Sequence, residues 1–446
     1  MNVTALPRWV TLGWASGTLG SSTLLGAINL VVLFFFTEYL GIAPATAGAL
    51  IFASRLWDIG AAIVIGQWSD RARSRFGRRA PFLFAAGPVS AAAYVMLFSA
   101  PTSLEGIGLQ AYILVALILY ATGYSLFVVP YLAVPAEVTA VPHERTRMMS
   151  WRVVVMTFAS LNVAVLGPAL INAFGQGRDG YFGMSVVQGG IVLAFMWLAA
   201  IVVARAPTVV CAPSASGSSL EQIRLVLRDR PFLVFIGAKF LQLTAVASTS
   251  ASLLYFARYV LGEDESFLIR FGAYQTLGTL ASIPLWSWLG RRYGKRRTYM
   301  AAGVVYALVV LSWLTSQFGE PTWVTDIRLL LVGVGSAGLL VMGFSLLPDT
   351  MEHHTRTTGR ALEGTMSALY SVIEKGTAAV GPLLGGLLLQ FSGFVSAAGK
   401  SLPPAQPESA IMAILWLTAI LPAAFNLLGV WMLTRLSLGD VQPRTS

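Results

Sequence analysis

The chain has 446 residues, of which 56% are hydrophobic and 11% charged, where an ordinary soluble domain carries about a quarter charged residues, so it holds more apolar side chain than a water-soluble fold can hide. Its net charge of +10 does not mark a nucleic-acid binder, because the basic residues sit in short loops between apolar runs instead of forming one patch. A single cysteine, Cys211, excludes a disulfide framework and a thiolate metal cluster, and three histidines leave little for zinc.

Runs of the roughly 20 apolar residues that a helix needs to cross about 30 Å of hydrocarbon predict twelve spans. They lie near 9–36, 43–68, 80–100, 108–134, 148–173, 184–205, 231–261, 268–290, 298–316, 326–348, 363–391 and 409–435. The first run begins near Trp9 after a single Arg8 and lacks an A-x-A-like cleavage site, so it is expected to stay as the first helix. Of the 30 lysines and arginines, only Arg178, Arg270, Arg328 and Lys400 fall in odd-numbered loops, while Arg55, Lys239, Arg258 and Lys375 lie inside spans or at their edges. The rest occupy the tails and the even-numbered loops, which puts both termini in the cytoplasm of a bacterial inner membrane.

The longest polar stretch, 206–230, contains a Pro-Ser-Ala-Ser-Gly-Ser-Ser run and separates a first bundle at 1–205 from a second at 231–446. An internal echo supports this division. Trp68-Ser69 leads to Arg75-Phe76-Gly77-Arg78-Arg79, and Trp286-Ser287 leads to Arg292-Tyr293-Gly294-Lys295-Arg296. The expected fold class is therefore an all-α membrane protein of twelve transmembrane helices in two six-helix pseudo-repeats, a plan suited to moving a small molecule by rocking one half against the other.

Loop two crowds Asp70, Arg71, Arg73, Arg75, Arg78 and Arg79 around Gly77. Beyond orienting the chain, these charges can pair with neighbouring helix ends and so form a cytoplasmic gate, with Gly77 allowing the tight turn. Glu137, Arg145 and Arg152 after span four, and Asp349 and Glu352 after span ten, are the candidate partners. Within span two, Arg55 and Asp58 share a helix face. Each costs roughly 2.5 to 3.5 kcal/mol at bilayer depth, so each needs a partner or a wet cavity. Lys375, about twelve residues into span eleven, can pair with Asp58 in one state and release it when a cation or proton arrives. Alternatively, Arg55 and Asp58 form a static ion pair, and Lys375 snorkels to an interface.

Gly333-Val334-Gly335-Ser336-Ala337-Gly338 matches a dinucleotide-binding pattern but lies inside an apolar span with no preceding strand, so helix packing explains it better. His353 and His354 are adjacent in a loop without further metal ligands. No catalytic constellation stands out, and no cofactor is expected beyond a coupling H+ or Na+.

Taken together, Arg55-Leu56-Trp57-Asp58, Gly66, Asp70-Arg71, Ser74 to Arg79 with Pro81, Pro130-Tyr131-x-Ala133-x-x-Ala136-Glu137, Glu144 to Arg147, and Asp349 to Lys375 resemble the glycoside-pentoside-hexuronide:cation symporters, the melibiose permease-like branch of the major facilitator superfamily. The resemblance implies that the position of Asp58 helps bind the coupling cation and that of Lys375 couples cation to substrate. The sodium-using pattern has an Asn and a second Asp where Ala61 and Ala62 stand here. Asp58 with Ser125 offers too few oxygens for a sodium cage, which points to the proton. The two sugar-holding aspartates of the melibiose permease fall on Ser22 and Val128. The remaining cavity set is Trp57, Tyr124, Gln242, Tyr274 and Gln275, with cations at Arg55 and Lys375. A glycoside can hydrogen-bond and stack there, and so can an anionic amphiphile such as a lysophospholipid. Expected partners are a small-molecule substrate and the bilayer, not nucleic acid, with the chain monomeric. The competing class is a non-transporting receptor or assembly scaffold.

Overall fold

The computed structural model describes residues 6–139, 141–175, 177–207, 219–359, 362–397 and 404–436, and among these there is no strand. Six long helices make up the first half: α1 (Arg8–Leu30), α2 (Pro44–Arg71), α3 (Ala80–Phe98), α4 (Gly106–Val138), α5 (Arg147–Ala173) and α6 (Gly177–Arg205). The second half holds α7 (Arg230–Leu261), α8 (Phe267–Tyr293), α9 (Lys295–Leu311), α10 (Thr322–Thr358), α11 (Glu363–Phe391) and α12 (Glu408–Thr434). Ten of these segments are long and apolar enough to cross a bilayer, and α1 becomes an eleventh when taken with its continuation Val32–Tyr39, bent by 47°. The twelfth expected span, α8, has 27 residues, but Arg270, Arg291 and Arg292 and a run of Gly, Ser, Thr and Gln keep its apolarity low.

The first-turn prolines of α2, α3 and α7 sit where a helix leaves its N–H groups unsatisfied anyway. Pro88, Pro130, Pro135, Pro284, Pro348 and Pro382 lie inside helices, where each removes a backbone hydrogen bond. Wide π-turns end α1 at Phe35–Tyr39 and α7 at Ala257–Leu261, the same place in each half.

The helix neighbours repeat as well. In the first half α1 packs on α5 and α6, α2 on α4, and α3 on α4 and α6. In the second half α7 packs on α11 and α12, α8 on α10, and α9 on α10 and α12, so each principal contact recurs with the helix number raised by six. The echoed turns agree in backbone geometry, with φ at +89° for Gly77 and +87° for Gly294, a conformation natural to glycine.

The glycine pattern of α10 is a packing device. A Cβ on Gly333 would lie 2.2 Å from the Gln275 carbonyl oxygen of α8, and one on Gly338 would strike Ala302 and Trp286.

The chain clusters into two compact units, 1–213 with 394–405 and 214–393 with 406–446. The described residues 394–397, after α11, go with the first unit, where Ser396 Oγ donates to the Thr37 carbonyl.

Candidate functional site

In the first unit, Asp58 is 1% exposed on the inner face of α2. Ser125 of α4 donates its hydroxyl to Asp58 Oδ1 and also lies 3.3 Å from the Asp58 carbonyl. The two residues expected to share the coupling site are therefore in contact, across the α2–α4 packing. Arg55, 7% exposed, reaches the other way and donates to Asn29 Oδ1 of α1 at 3.2 Å. Asn29 was not among the predicted residues. A lone amide in an apolar run carries no sequence signal of its own.

Trp57 is half exposed, its indole N–H donating to Thr122 Oγ1 at 2.9 Å, so its ring is held against α4. Ser22, Tyr124 and Val128 are half-buried on α1 and α4, and Ala61 and Ala62 follow Asp58 as the sequence dictates.

In the second unit, Lys375 is half-buried on α11, and Tyr274 and Gln275 are half-buried on α8. Gln242, expected in the substrate cavity, is buried. Its Oε1 accepts from Lys239 Nζ at 2.7 Å and from the Tyr299 hydroxyl. The sequence reading noted Lys239 only as a basic residue within a span.

At the α2–α3 turn and at its counterpart before α9, each half carries an ionic staple. Arg79 is the hub of the first: Nε donates to Glu137 at 2.8 Å, one terminal nitrogen to Ser69 Oγ at 2.5 Å and the other to Asp70 at 2.5 Å. Its side chain is 10% exposed and that of Glu137 15%, so this pair is shielded from water. Arg78 adds a longer contact to Glu137 at 3.4 Å. Arg71 and Arg75 are exposed, and Arg75 lies over the ring of its neighbour Phe76. In the second half, Lys295 Nζ bonds both oxygens of Asp349 at 2.7 and 2.8 Å.

Of the other gate candidates, Arg145 caps α4 through the Thr139 carbonyl at 2.9 Å, and Arg152 is half-buried on α5. Glu352 pairs one turn along its own exposed surface with Arg356. Arg147, which was not assigned to the gate, ties the start of α5 to Leu6 O at 2.9 Å and to Glu144.

A glutamate-arginine-serine hub at the end of α2, α3 and α4, repeated more simply in α9 and α10, together with a buried carboxylate held between α2 and α4, defines a membrane transport protein of the major facilitator type. The chain belongs to the family described as "MFS/sugar transport protein", whose model matches residues 13–440. It is 25% identical over 430 residues to the glucuronide carrier protein homolog of Escherichia coli (strain K12), covering 94% of this chain and 90% of that one. It is 26% identical over 426 residues to the inner membrane symporter YicJ of the same organism, covering 94% and 89%. Among solved structures, a bacterial homolog of the human lysosomal transporter Spinster, inward-facing and unoccupied, matches with a TM-score of 0.68 at 14% identity, over 96% of this chain and 97% of that one. This likeness establishes the shared fold.

Proposed function

We propose that this protein is a proton-coupled symporter of small glycosides bearing an anionic group, working by alternating access in the bacterial inner membrane with both termini cytoplasmic. The observation that carries the reading is the Asp58–Ser125 contact: a carboxylate 1% exposed at bilayer depth, bonded to a hydroxyl, with alanines at 61 and 62 where further oxygen ligands would be needed for sodium. A proton needs one oxygen, and Asp58 supplies it.

The anionic preference rests on the cations Arg55 and Lys375 inside spans and on the absence of acid groups at Ser22 and Val128. One relative is named a glucuronide carrier homolog and another an inner membrane symporter, in keeping with this substrate class and location. Arg79 with Asp70 and Glu137, and Lys295 with Asp349, then serve as cytoplasmic staples of the cycle, and Lys375 takes part in coupling.

The test is uptake of methyl β-D-glucuronide into proteoliposomes under an imposed pH gradient. The parent protein accumulates the sugar, and Asp58→Asn, inserted at the same level, does not. Accumulation by the variant equal to the parent's overturns the role of Asp58, and accumulation driven by sodium alone overturns the proton.

A further inference from the structure

Lys239 is the tenth residue of α7, about 14 Å of helix from its cytoplasmic start. A lysine there ordinarily leans back toward the helix N-terminus and snorkels to the nearer interface. This one does not. It is 4% exposed, and its Nζ donates to Gln242 Oε1, three residues deeper into the span. Tyr299 of α9 donates its hydroxyl to the same oxygen, and its ring lies 5.7 Å from Nζ. On the facing side, Gly343 of α10 makes the room: a Cβ at that position would sit 2.5 Å from Nζ.

The counter-charge comes from α11, which packs against α7 and carries Glu374, the carboxylate whose charge acts on Lys239. Tyr370, one turn earlier on the same face, lies within reach of both Tyr299 and Glu374. Glu374 is the twelfth residue of its helix, about 17 Å in, and its side chain is on the exposed surface of the unit. A carboxylate at that depth is tolerated where it meets a water-filled space and is costly against lipid. The cluster thus joins a buried amine, an amide and a tyrosine bonded at one oxygen to a second tyrosine and an exposed acid on the adjoining helix.

We propose that Lys239 and Glu374 form a second proton-exchanging site, separate from Asp58 and contained within the C-terminal unit. In the protonated form the ammonium and the carboxylate make the pair neutral overall. One proton then leaves Nζ and passes by way of the Glu374 carboxylate to water, leaving a neutral amine, the carboxylate and one added negative charge. Gln242 Oε1 accepts an N–H from the amine in either form, so the side chain stays in place while its charge changes. The proton belongs to the pair and not to one residue. That the exchange drives transport rests on the proton-coupled reading above, whereas the site itself does not.

The chain has four lysines, at 239, 295, 375 and 400, so each can be followed by peptide mass after competitive labelling with 1-fluoro-2,4-dinitrobenzene. In the full-length detergent-purified protein, Lys239 is expected to label, and its rate at pH 8 to rise several-fold in Glu374→Gln but not in Glu408→Gln. A Lys239 that stays unlabelled at every pH, or reacts equally in both variants, overturns the site. For the transport role, the double variant Lys239→Met with Glu374→Gln removes both charges together. It is expected to match the parent's melting temperature and sugar exchange while losing at least half of the accumulation driven by the pH gradient. A double variant that keeps the parent's accumulation and pH profile shows a structural ion pair and overturns the proposed role. If the parent itself does not accumulate methyl β-D-glucuronide, the proposed function fails, and the labelling result still decides the site.

Discussion

Trp14 and Tyr131 hold each other by exchanged hydrogen bonds: the Trp14 indole donates to the Tyr131 carbonyl at 3.0 Å, and the Tyr131 hydroxyl donates to the Trp14 carbonyl at 2.9 Å. Their rings stack at 4.6 Å, 10° from parallel, locking α1 to α4. Neither side chain was singled out as a pair from sequence, since 117 residues separate them.

Removing the hydroxyl alone in Tyr131→Phe frees the Trp14 carbonyl and Thr18, at a cost of about 1 kcal/mol. Emptying the site in Trp14→Ala costs about 3 to 5 kcal/mol. Thermal unfolding in detergent should rank the two in that order, and equal melting temperatures would show that the latch is redundant.

The two staples should differ in strength. Arg79 and Glu137 are largely shielded, so Arg79→Ala leaves Glu137 with only the longer Arg78 contact and costs about 3 kcal/mol. Lys295 and Asp349 are 42% and 26% exposed, and Lys295→Ala costs about 1 kcal/mol or less. Arg79→Lys keeps the charge but cannot serve Glu137, Ser69 and Asp70 together, so its melting temperature should fall between those of Arg79→Ala and the parent. A larger loss in Lys295→Ala than in Arg79→Ala would contradict the burial argument.

Close backbone approach makes Gly333 intolerant. Gly333→Ala forces a methyl group against the Gln275 carbonyl, which cannot swing aside as a side chain would, and overpacking of this kind costs about 1 to 3 kcal/mol. At Gly60 a Cβ meets open space, and Gly60→Ala should leave stability unchanged or slightly raised. The pair of melting curves is its own control.

Asp229 caps α7 through the Phe232 N–H at 3.0 Å and pairs its other oxygen with His354 of α10. Asp229→Ala loses both, and the cap alone is worth about 0.5 to 2 kcal/mol. The variant should unfold earlier and expose the α7 start to proteolysis. His354→Ala, which keeps the cap, should show less of the second effect.

Much of the fold was legible because a bilayer leaves few solutions for a long apolar run, and the placement of arginines separates the loops. The α8 segment reads as one more apolar run, and the helix is there, although its arginines and polar residues keep it out of the set apolar enough to cross a bilayer. Asp58 and Ser125 could be named because a carboxylate in a span is rare and the family resemblance supplies its neighbour. Lys239 was harder to read. A single basic residue near a helix start looks like a snorkelling anchor until Gln242 of its own helix, and Tyr299 and Gly343 of two helices far along the chain, are seen around it. Among the gate residues, sequence could list arginines but not rank them, because only packing makes Arg79 the hub and leaves Arg71 and Arg75 at the surface.

The two staples fasten their turns unequally. With three side-chain acceptors gripping Arg79 and one carboxylate gripping Lys295, the turn before α9 is the cheaper of the two to loosen. Amide hydrogens around 295–300 should accordingly exchange with deuterium sooner than those around 79–84. The repeat thus carries one turn in two copies, and the copy at Gly294 is fastened by fewer side chains than the copy at Gly77.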